Sequence, residues 1–293
     1  MLSIIIPTMN EEENIRKLLE SIEEQEIDNY EVIIADNKSK DNTLNIAKKY
    51  GCKITKGGLP AKGRNNGAKI AKGNLFLFLD ADTILPMGAL KKALLEFEKR
   101  KLGIASCSLE LLVEKYKIIY NICYNLLYNW PIRVLENVFP YASNFILVKK
   151  EIHNKIKGFD EGIKLAEDHS YARKAAKIAK FGFLKSLSFI LIPRRFKNEG
   201  WLRVGLKYYF CNLYNVFFGD VKSDIFQYDF KRQRTEGKIP KIKIGIINVI
   251  RSFIWFVFFI LLFLLSLLTW PIIFLIFTPK LICQCLKINI NII

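Results

Sequence analysis

Short apolar runs alternate with amphipathic segments in the N-terminal part of the chain, and this alternation restricts the fold more than any other feature. Leu2–Ile6 is a nearly all-apolar run of strand length, Leu75–Leu79 is entirely apolar, and Tyr30–Ala35 is a third predicted strand. Such runs are typical of strands that are buried on both faces of a parallel sheet. The segments between them carry apolar residues at helical spacing. Strands that alternate with helices predict an α/β fold built on a parallel sheet.

Polar residues follow three of the predicted strands at the point where each strand ends. They form the turn Pro7–Glu11, the segment Asp36–Ser39 and the triplet Asp80–Asp82. In open parallel sheets, ligands bind beyond the carboxyl ends of the strands. The sequence therefore predicts a binding site at this edge of the sheet.

Asp80 and Asp82 are separated by the small residue Ala81, directly after the apolar run that ends at Leu79. Strand alternation would place both carboxylates on the same side. Two oxygen ligands at a strand end suit a hard divalent cation, Mg²⁺ or Mn²⁺, that keeps positions open for phosphate oxygens. We expect Asp80 and Asp82 to bind such an ion, which would neutralise a leaving diphosphate.

The sequence also predicts where the helices near this edge begin and end. Asn10 followed by Glu13 has the spacing of a helix-capping pair. A loop rich in Gly and Lys is expected over Lys56–Gly63, before a short helix from about Arg64 to Ala71. A further helix is expected over Asp168–Phe181. These boundaries decide which side chains reach the edge of the sheet.

The run Ser252–Pro279 contains no charged residue and consists mostly of Phe, Ile, Leu, Val and Trp. As a helix it would extend roughly 40 Å, which exceeds the roughly 30 Å thickness of a bilayer's hydrocarbon core. We predict a tilted, single transmembrane helix, with Pro271 kinking it or ending its straight part. A re-entrant hairpin that turns near Thr269–Pro271 is the alternative.

Charge predicts the orientation of this segment. The chain has 45 Lys and Arg against 28 Asp and Glu, a net charge of +17. Basic residues cluster between Lys231 and Arg251, before the apolar run, whereas Lys280 and Lys287 are the basic residues after it. The positive-inside rule then puts the N-terminal part in the cytoplasm, and the basic cluster is expected to bind anionic lipid. The 6 cysteines form no CxxC pair, which fits a reducing compartment.

Five motifs, in order, resemble those of glycosyltransferase family 2. They are Ile6–Glu12, Ala35–Thr43, Leu79–Thr83, Gly158–Glu161 and Glu167–Asp168. The resemblance covers about residues 1–195, and five motifs in sequence are far more specific than any one of them. It implies an α/β fold of the GT-A type, which binds nucleotide-sugars on a mixed, mainly parallel sheet.

The resemblance also implies roles for the donor-side residues. Asp36 is expected to contact the nucleotide base or ribose. Pro7, Thr8 and Glu11 would lie in the same nucleotide pocket.

Further donor contacts are implied around the metal. Asp80 should contact the ribose or the metal ion, and Asp82 should bind the metal ion. Lys62 and Arg64 occupy positions where the family has basic contacts to the donor.

On the acceptor side, Asp168 corresponds to the family's general base, with Glu167 beside it. Their alternative role is that of a helix N-cap. His169 is expected to be solvated or to face its helix rather than to bind metal. Arg194 and Arg195 are expected either to grip the donor diphosphate or to form a basic edge that faces the membrane.

These features predict four regions. They are a GT-A catalytic domain over 1–195, an amphipathic basic juxtamembrane region over 196–243, a membrane segment over 244–279 and a short tail over 280–293. The expected activity is inverting transfer from a UDP- or GDP-sugar to a lipid-linked or cell-envelope acceptor at the cytoplasmic face of the cell membrane, with no nucleic-acid partner. A membrane-tethered nucleotidyltransferase and a non-catalytic basic membrane-associated binding protein are the alternatives. A dinucleotide-binding enzyme and a P-loop NTPase are excluded, because GxGxxG and GxxxxGK[ST] are absent from the sequence.

Overall fold

A computed structural model describes the N-terminal part of the chain almost continuously. The described residues are 1–112, 125, 129–134, 136, 139–192, 204, 207–208, 210–211, 214–215, 218–223, 225 and 265–266. By its internal contacts the chain divides into two units, Met1–Gln233 and Arg234–Ile293. All strands of the described residues lie in the first unit.

A single sheet of eight strands runs through the described part of the chain. In chain order the strands are β1 Leu2–Thr8, β2 Tyr30–Asp36, β3 Lys53–Lys56, β4 Leu75–Leu79, β5 Thr83–Ile84, β6 Ile104–Leu111, β7 Phe145–Lys149 and β8 Phe181–Leu191. Their order in the sheet is β3-β2-β1-β4-β7-β6-β8-β5. The strands β1 to β4 are mutually parallel neighbours, whereas β7 runs antiparallel to both β4 and β6. The predicted α/β fold with a mixed sheet is confirmed.

Helices cover both faces of this sheet. Those of the described residues are α1 Glu12–Glu23, α2 Thr43–Lys49, α3 Pro60–Ile70, α4 Ala89–Lys99, α5 Trp130–Val134, α6 Lys150–Lys155 and α7 Glu167–Ala176. Ile4 and Ile6 of β1 belong to one buried cluster with α1, α2 and α4, and Ile5 belongs to a second cluster with α3, α6 and α7. A strand with helices on both faces is expected to be mostly apolar on both sides, which explains the consecutive isoleucines Ile4–Ile6 in β1.

Helix α3 begins at Pro60, so the expectation of a loop up to Gly63 and a helix from about Arg64 was wrong. Pro60 occupies the first helical turn, where its fixed φ fits and its missing N–H costs nothing. The helix also packs very close to β1, because a Cβ on Gly67 would lie 2.3 Å from Ile5 Cγ2. Lys62 and Arg64 are therefore helical and fixed relative to the end of β1.

Two other predicted boundaries differ from the structure. Helix α1 has Glu11 at its N-cap and no side-chain capping hydrogen bond, so the predicted Asn10 cap was wrong. Helix α7 ends at Ala176 rather than continuing to Phe181, because the chain turns there into β8. Strand β8 pairs in parallel with β6 from Phe181 onward, and this pairing overrides the local helical pattern.

The predicted transmembrane helix lies outside the described residues, apart from Leu265 and Ser266. Across the residues that are described, no helix combines the length and apolarity needed to cross a bilayer. The predicted tail 280–293 and most of the region 196–243 also lie outside the described residues.

Candidate active site

The ends of β1 and β2 are joined through one buried carboxylate. Thr8 and Asp36 are register partners at the last positions of the two strands, and Thr8 Oγ1 donates to Asp36 Oδ1 at 2.9 Å. Ser39 donates to the same carboxylate twice, from Oγ to Oδ1 at 2.5 Å and from its backbone N–H to Oδ2 at 2.9 Å. Asp36 is thereby held in one orientation at the predicted nucleotide edge.

The turn after β1 is tied to the loop after β2. Three successive backbone amides donate to side chains of that loop and of the first residue of α2, Asn10 N to Ser39 Oγ at 2.8 Å, Glu11 N to Thr43 Oγ1 at 2.7 Å and Glu12 N to Asp41 Oδ2 at 3.1 Å. The Asn10 side chain instead accepts from Lys40 N at 2.8 Å. Side chains that follow β2 thus accept hydrogen bonds from the backbone N–H groups at the start of α1, in place of the predicted Asn10 cap.

The segment that leads into α3 packs closely against the ends of β1 and β2. A Cβ on Gly57 would lie 2.5 Å from Ala35 O, so only glycine allows this approach to the end of β2. Pro7 packs on α3, where a Cβ on Gly63 would lie 3.1 Å from Pro7 Cβ. Lys62 is exposed on the opposite side of α3 from Arg64, which is buried. The two basic residues predicted to contact the donor therefore face different surroundings.

Arg64 connects the end of β4 to the start of α7. Its Nη2 donates to Asp80 Oδ1 and its Nη1 to Glu167 Oε1, both at 2.7 Å. Its guanidinium also lies over the ring of Phe159, with Cζ 5.3 Å from the centroid. Burial disfavours the charged guanidinium, but the attraction of Asp80, Glu167 and Asp168 outweighs it and raises the pKa of Arg64. Arg64 is therefore a permanent cation shared between two acidic motifs.

Asp80 and Asp82 lie in a tight turn rather than in a continued strand. The Thr83 N–H donates to Asp80 O at 3.1 Å, so the strand ends before the triplet and strand alternation does not apply to it. The Asp80 N–H donates to Asn144 O at 3.2 Å, just before β7, and Ile192 N–H donates to Asp82 O at 3.1 Å, just after β8. The turn is held because β7 and β8 return to the same edge of the sheet.

The residues of this turn fit a divalent cation with an open coordination sphere. Within the described residues no group of three or more His, Cys, Asp or Glu converges as a complete metal site. Asp80 and Asp82 offer carboxylate oxygens, and Thr83 Oγ1 is a buried hydroxyl without a hydrogen-bond partner in the described structure. Mg²⁺ and Mn²⁺ commonly use one or two carboxylates and take their other ligands from water and substrate phosphates.

Glu167 and Asp168 lie in the first turn of α7, and they differ in their charged neighbours. Burial raises the pKa of Asp168 to about 6, with Arg64 opposing the change and Asp80 adding to it. Burial also raises the pKa of Glu167, against the attraction of Arg64 in their 2.7 Å ion pair. Neither side chain caps the helix, whose N-cap is Ala166. Glu167 is committed to Arg64, whereas Asp168 is a carboxylate whose pKa lies near neutrality, as general bases require.

His169 is buried, so of its two expected environments the solvated one is excluded. Its ring lies 3.7 Å from the ring centroid of Tyr141. Burial, together with the nearby positive charge of Arg173, lowers the pKa of His169 to about 3. The imidazole is therefore neutral at pH 7, and its Nε2, 3.6 Å from Asp168 Oδ1, supplies no charge to the neighbouring carboxylate.

Asn65 is a site residue that the sequence did not reveal. Its Nδ2 donates to Phe159 O at 2.9 Å, and its Oδ1 accepts from Phe159 N at 2.8 Å. Gly158 precedes Phe159 at φ +71, and a Cβ there would lie 2.6 Å from Asn65 Oδ1. Asn65 thus fixes the loop whose Phe159 supports Arg64. The sequence signal for Asn65 was its position directly after Arg64, in a helix that was predicted but with a later start.

The structure brings most of the predicted site residues together along one edge of the sheet. Thr8 and Asp36 meet at the ends of β1 and β2, and Arg64 links Asp80 to Glu167. Arg194 and Arg195 lie outside the described residues, two and three positions after Ile192 in the sequence.

Comparison with known proteins supports the interpretation of the motifs. Residues 3–129 match the family model described as glycosyl transferase family 2. The chain is 38% identical over 101 residues to the poly(ribitol-phosphate) beta-N-acetylglucosaminyltransferase TarS of Staphylococcus aureus, a match that covers 31% of this chain and 18% of TarS. It is 27% identical over 266 residues to TarP of the same species, with 80% of this chain and 77% of TarP covered. This chain thus matches less than a fifth of TarS but most of TarP.

Two solved structures have the same fold. S. aureus TarS 1–349 in complex with UDP-GlcNAc matches with a TM-score of 0.53 and 25% identity, covering 66% of this chain and 58% of that chain. The mannosyltransferase PcManGT from Pyrobaculum calidifontis, in complex with GDP-Man and Mn²⁺, matches with a TM-score of 0.58 and 21% identity, covering 76% and 65%. Residues 3–129 thus resemble glycosyl transferase family 2, and the described fold is the α/β fold of these two solved glycosyltransferases.

Proposed function

We propose that this chain is an inverting, metal-dependent glycosyltransferase that moves a sugar from a UDP- or GDP-sugar to a lipid-linked or cell-envelope acceptor at the cytoplasmic face of the membrane. One observation carries the proposal. Arg64 bonds Asp80 of the metal-type turn and Glu167 of α7 at 2.7 Å each, so the turn and the helix that bears Asp168 share one buried cation. Arg64 thereby keeps the Asp80–Asp82 turn, which would bind the donor, close to the helix that carries the candidate base Asp168.

The donor nucleotide is assigned to the edge formed by β1 and β2. Asp36 would accept from the base or ribose, and its orientation is already set by Thr8 and Ser39. Pro7 and Glu11 would line the same pocket, because the Glu11 amide is hydrogen-bonded to Thr43 at the start of α2, which follows β2. UDP-GlcNAc in TarS and GDP-Man in PcManGT support a nucleoside diphosphate donor of either kind.

Asp80 and Asp82 would hold Mg²⁺ or Mn²⁺. When bound there, the ion would offset the negative charge on the leaving diphosphate. Lys62, exposed on α3, and the Arg194–Arg195 pair would add positive charge toward the phosphates. Arg64 acts differently, since both of its terminal nitrogens are engaged by carboxylates, and its role would be to orient Asp80 and Glu167.

Asp168 is assigned the role of general base. It would take the proton from an acceptor hydroxyl as the hydroxyl oxygen forms its bond to the anomeric carbon. The bond between that carbon and the β-phosphate oxygen breaks on the opposite side, so the configuration inverts and the nucleoside diphosphate leaves. A pKa near 6 leaves Asp168 ionised at pH 7 yet basic enough to accept a proton in the transition state.

The acceptor and the location are inferred from charge and apolarity. The run Ser252–Pro279 would anchor the chain as a single pass, and the basic cluster from Lys231 to Arg251 would lie at the cytoplasmic leaflet. The net charge of +17 favours an anionic acceptor, and the names of TarS and TarP specify poly(ribitol-phosphate), a polyanion. A lipid-linked phosphate would offer the same chemistry.

A nucleotide-release assay on the full chain in detergent tests the proposal. UDP-, GDP- and dTDP-sugars are supplied with Mn²⁺ or Mg²⁺, with EDTA, and with either a membrane lipid extract or poly(ribitol-phosphate) as acceptor. We expect one donor to release its nucleotide in an acceptor-dependent way. EDTA should abolish this release, and the Asp168→Asn variant should not show it. Release of pyrophosphate from a nucleoside triphosphate and a sugar phosphate would instead indicate a nucleotidyltransferase. No release from any donor, with no donor raising the melting temperature, would contradict the proposal.

A further inference from the structure

A segment remote in sequence packs against the helix that bears Asp168. The Lys164 N–H donates to Val221 O at 2.8 Å, and Leu165 and Val221 form an isolated antiparallel bridge. Leu165, Val221 and Cys211 make up a small buried cluster. Residues 218–221, which we call the 218–221 segment, therefore adjoin the residues that immediately precede α7.

Asp220 extends this contact onto the helix itself. Its Oδ2 accepts from Ser170 Oγ at 2.9 Å, and its Oδ1 accepts from Arg173 Nη2 at 2.6 Å. Ser170 and Arg173 are three residues apart and so lie on the same face of α7. Ser170 is buried, whereas Asp220 and Arg173 keep 25% and 36% of their side chains exposed. One carboxylate thus bonds two successive turns of the helix.

The start of α7 requires such external support. Its N-cap, Ala166, has φ 62, a left-handed conformation that is unfavourable for alanine, and no side chain caps the helix. The next two residues are Glu167 and Asp168, whose burial opposes their ionised forms. A strained start followed by two buried carboxylates persists only where surrounding contacts determine it. Those contacts come from Arg64 on one side and from the 218–221 segment on the other.

We propose that Asp220 is a positioning residue that holds α7, through Ser170 and Arg173, in the orientation that presents Asp168 to the acceptor. The inference rests on the proposed function. The hydrogen bonds of Asp220 go to Ser170 and Arg173 of α7 rather than to Asp168 itself, so its removal should slow the chemical step and leave donor binding intact. Small displacements of a catalytic group reduce turnover steeply, by about 10²-fold for 1 Å.

The test compares four variants with the wild-type full chain in detergent. We expect Asp220→Ala to lower kcat by about 10- to 100-fold, with the donor KM within about twofold of wild type. Arg173→Gln should lower kcat in the same sense, and Asp220→Glu should restore most of the activity lost in Asp220→Ala because it keeps the charge. Lys177→Gln, at the exposed C-terminal end of the same helix, removes a charge without touching the contact and should match wild type.

A second readout needs no substrate. Hydrogen exchange followed by mass spectrometry should be faster in Asp220→Ala over residues 166–170, where the Ser170 N–H donates to Ala166 O. Wild-type kcat and exchange in Asp220→Ala would overturn the inference, as would a loss of activity that Asp220→Glu does not relieve. An inactive wild-type chain would instead overturn the proposed function, so the two failures are distinguishable.

Discussion

Replacing the proposed base by its amide should stabilise the fold at neutral pH. Burial raises the pKa of Asp168 from 3.8 to about 6. A carboxyl group whose folded pKa exceeds its unfolded pKa binds its proton more tightly when folded, so its ionised form destabilises the fold at higher pH. Since one pKa unit corresponds to about 1.4 kcal/mol, Asp168→Asn should gain about 3 kcal/mol at pH 8 and about 1 kcal/mol at pH 4.5. The side chain keeps 18% exposure, which makes these upper values.

The free energy of unfolding of the full chain in detergent, measured by guanidinium titration at both pH values, checks this. The direction follows because the destabilisation is complete above the folded pKa and disappears as pH falls toward the unfolded pKa. Asp28→Asn removes an exposed carboxylate from the segment between α1 and β2 and controls for the loss of one negative charge. Equal stabilisation by both variants, or a less stable Asp168→Asn at pH 8, would refute the argument from burial.

Three further predictions concern the packing, the cation and the metal. Gly67→Ala should destabilise the fold by about 1–3 kcal/mol, because its Cβ would lie 2.3 Å from Ile5 Cγ2; an unchanged denaturation midpoint would contradict the close packing of α3. Arg64→Met removes a charge that lowers the pKa of Asp168, so the acid limb of the kcat/KM profile should move to higher pH, and a limb that stays or moves down would contradict the shared-cation arrangement. Asp82→Ala should reduce nucleotide release to that of EDTA-treated wild type without lowering the melting temperature, and metal-stimulated release in the variant would remove Asp82 from the proposed metal site.

The strand ends were predictable from the sequence because they depend on local patterns. Apolar runs of strand length define β1, β2 and β4, and the polar residues after them must meet at one edge when the strands are parallel neighbours. The register pairing of Thr8 with Asp36 confirms that expectation. Asp168 was chosen differently, through the resemblance of Glu167–Asp168 to a family motif, and it lies in the first turn of α7.

The contacts of the buried charges were not predictable in this way. Arg64 meets Glu167, a residue 103 positions away, because α3 and α7 pack on the same face of the sheet. His169 is buried because Tyr141, which precedes β7, covers its ring. The Asp220 contact spans 50 positions from Ser170. Such pairings depend on how elements pack, which periodicity along the chain does not encode.

The central claim is that Asp168 abstracts the acceptor proton and takes no part in donor binding. Measuring both steps on one variant tests this most directly. Donor affinity by calorimetry and nucleotide release by coupled assay are measured on wild type and Asp168→Asn in the same detergent and metal. We predict a donor Kd that changes by less than about threefold and release that falls by about 10²- to 10⁴-fold, as expected for loss of a general base. Undiminished release by Asp168→Asn would contradict the assignment of the base, and loss of donor binding together with release would contradict the division of the site.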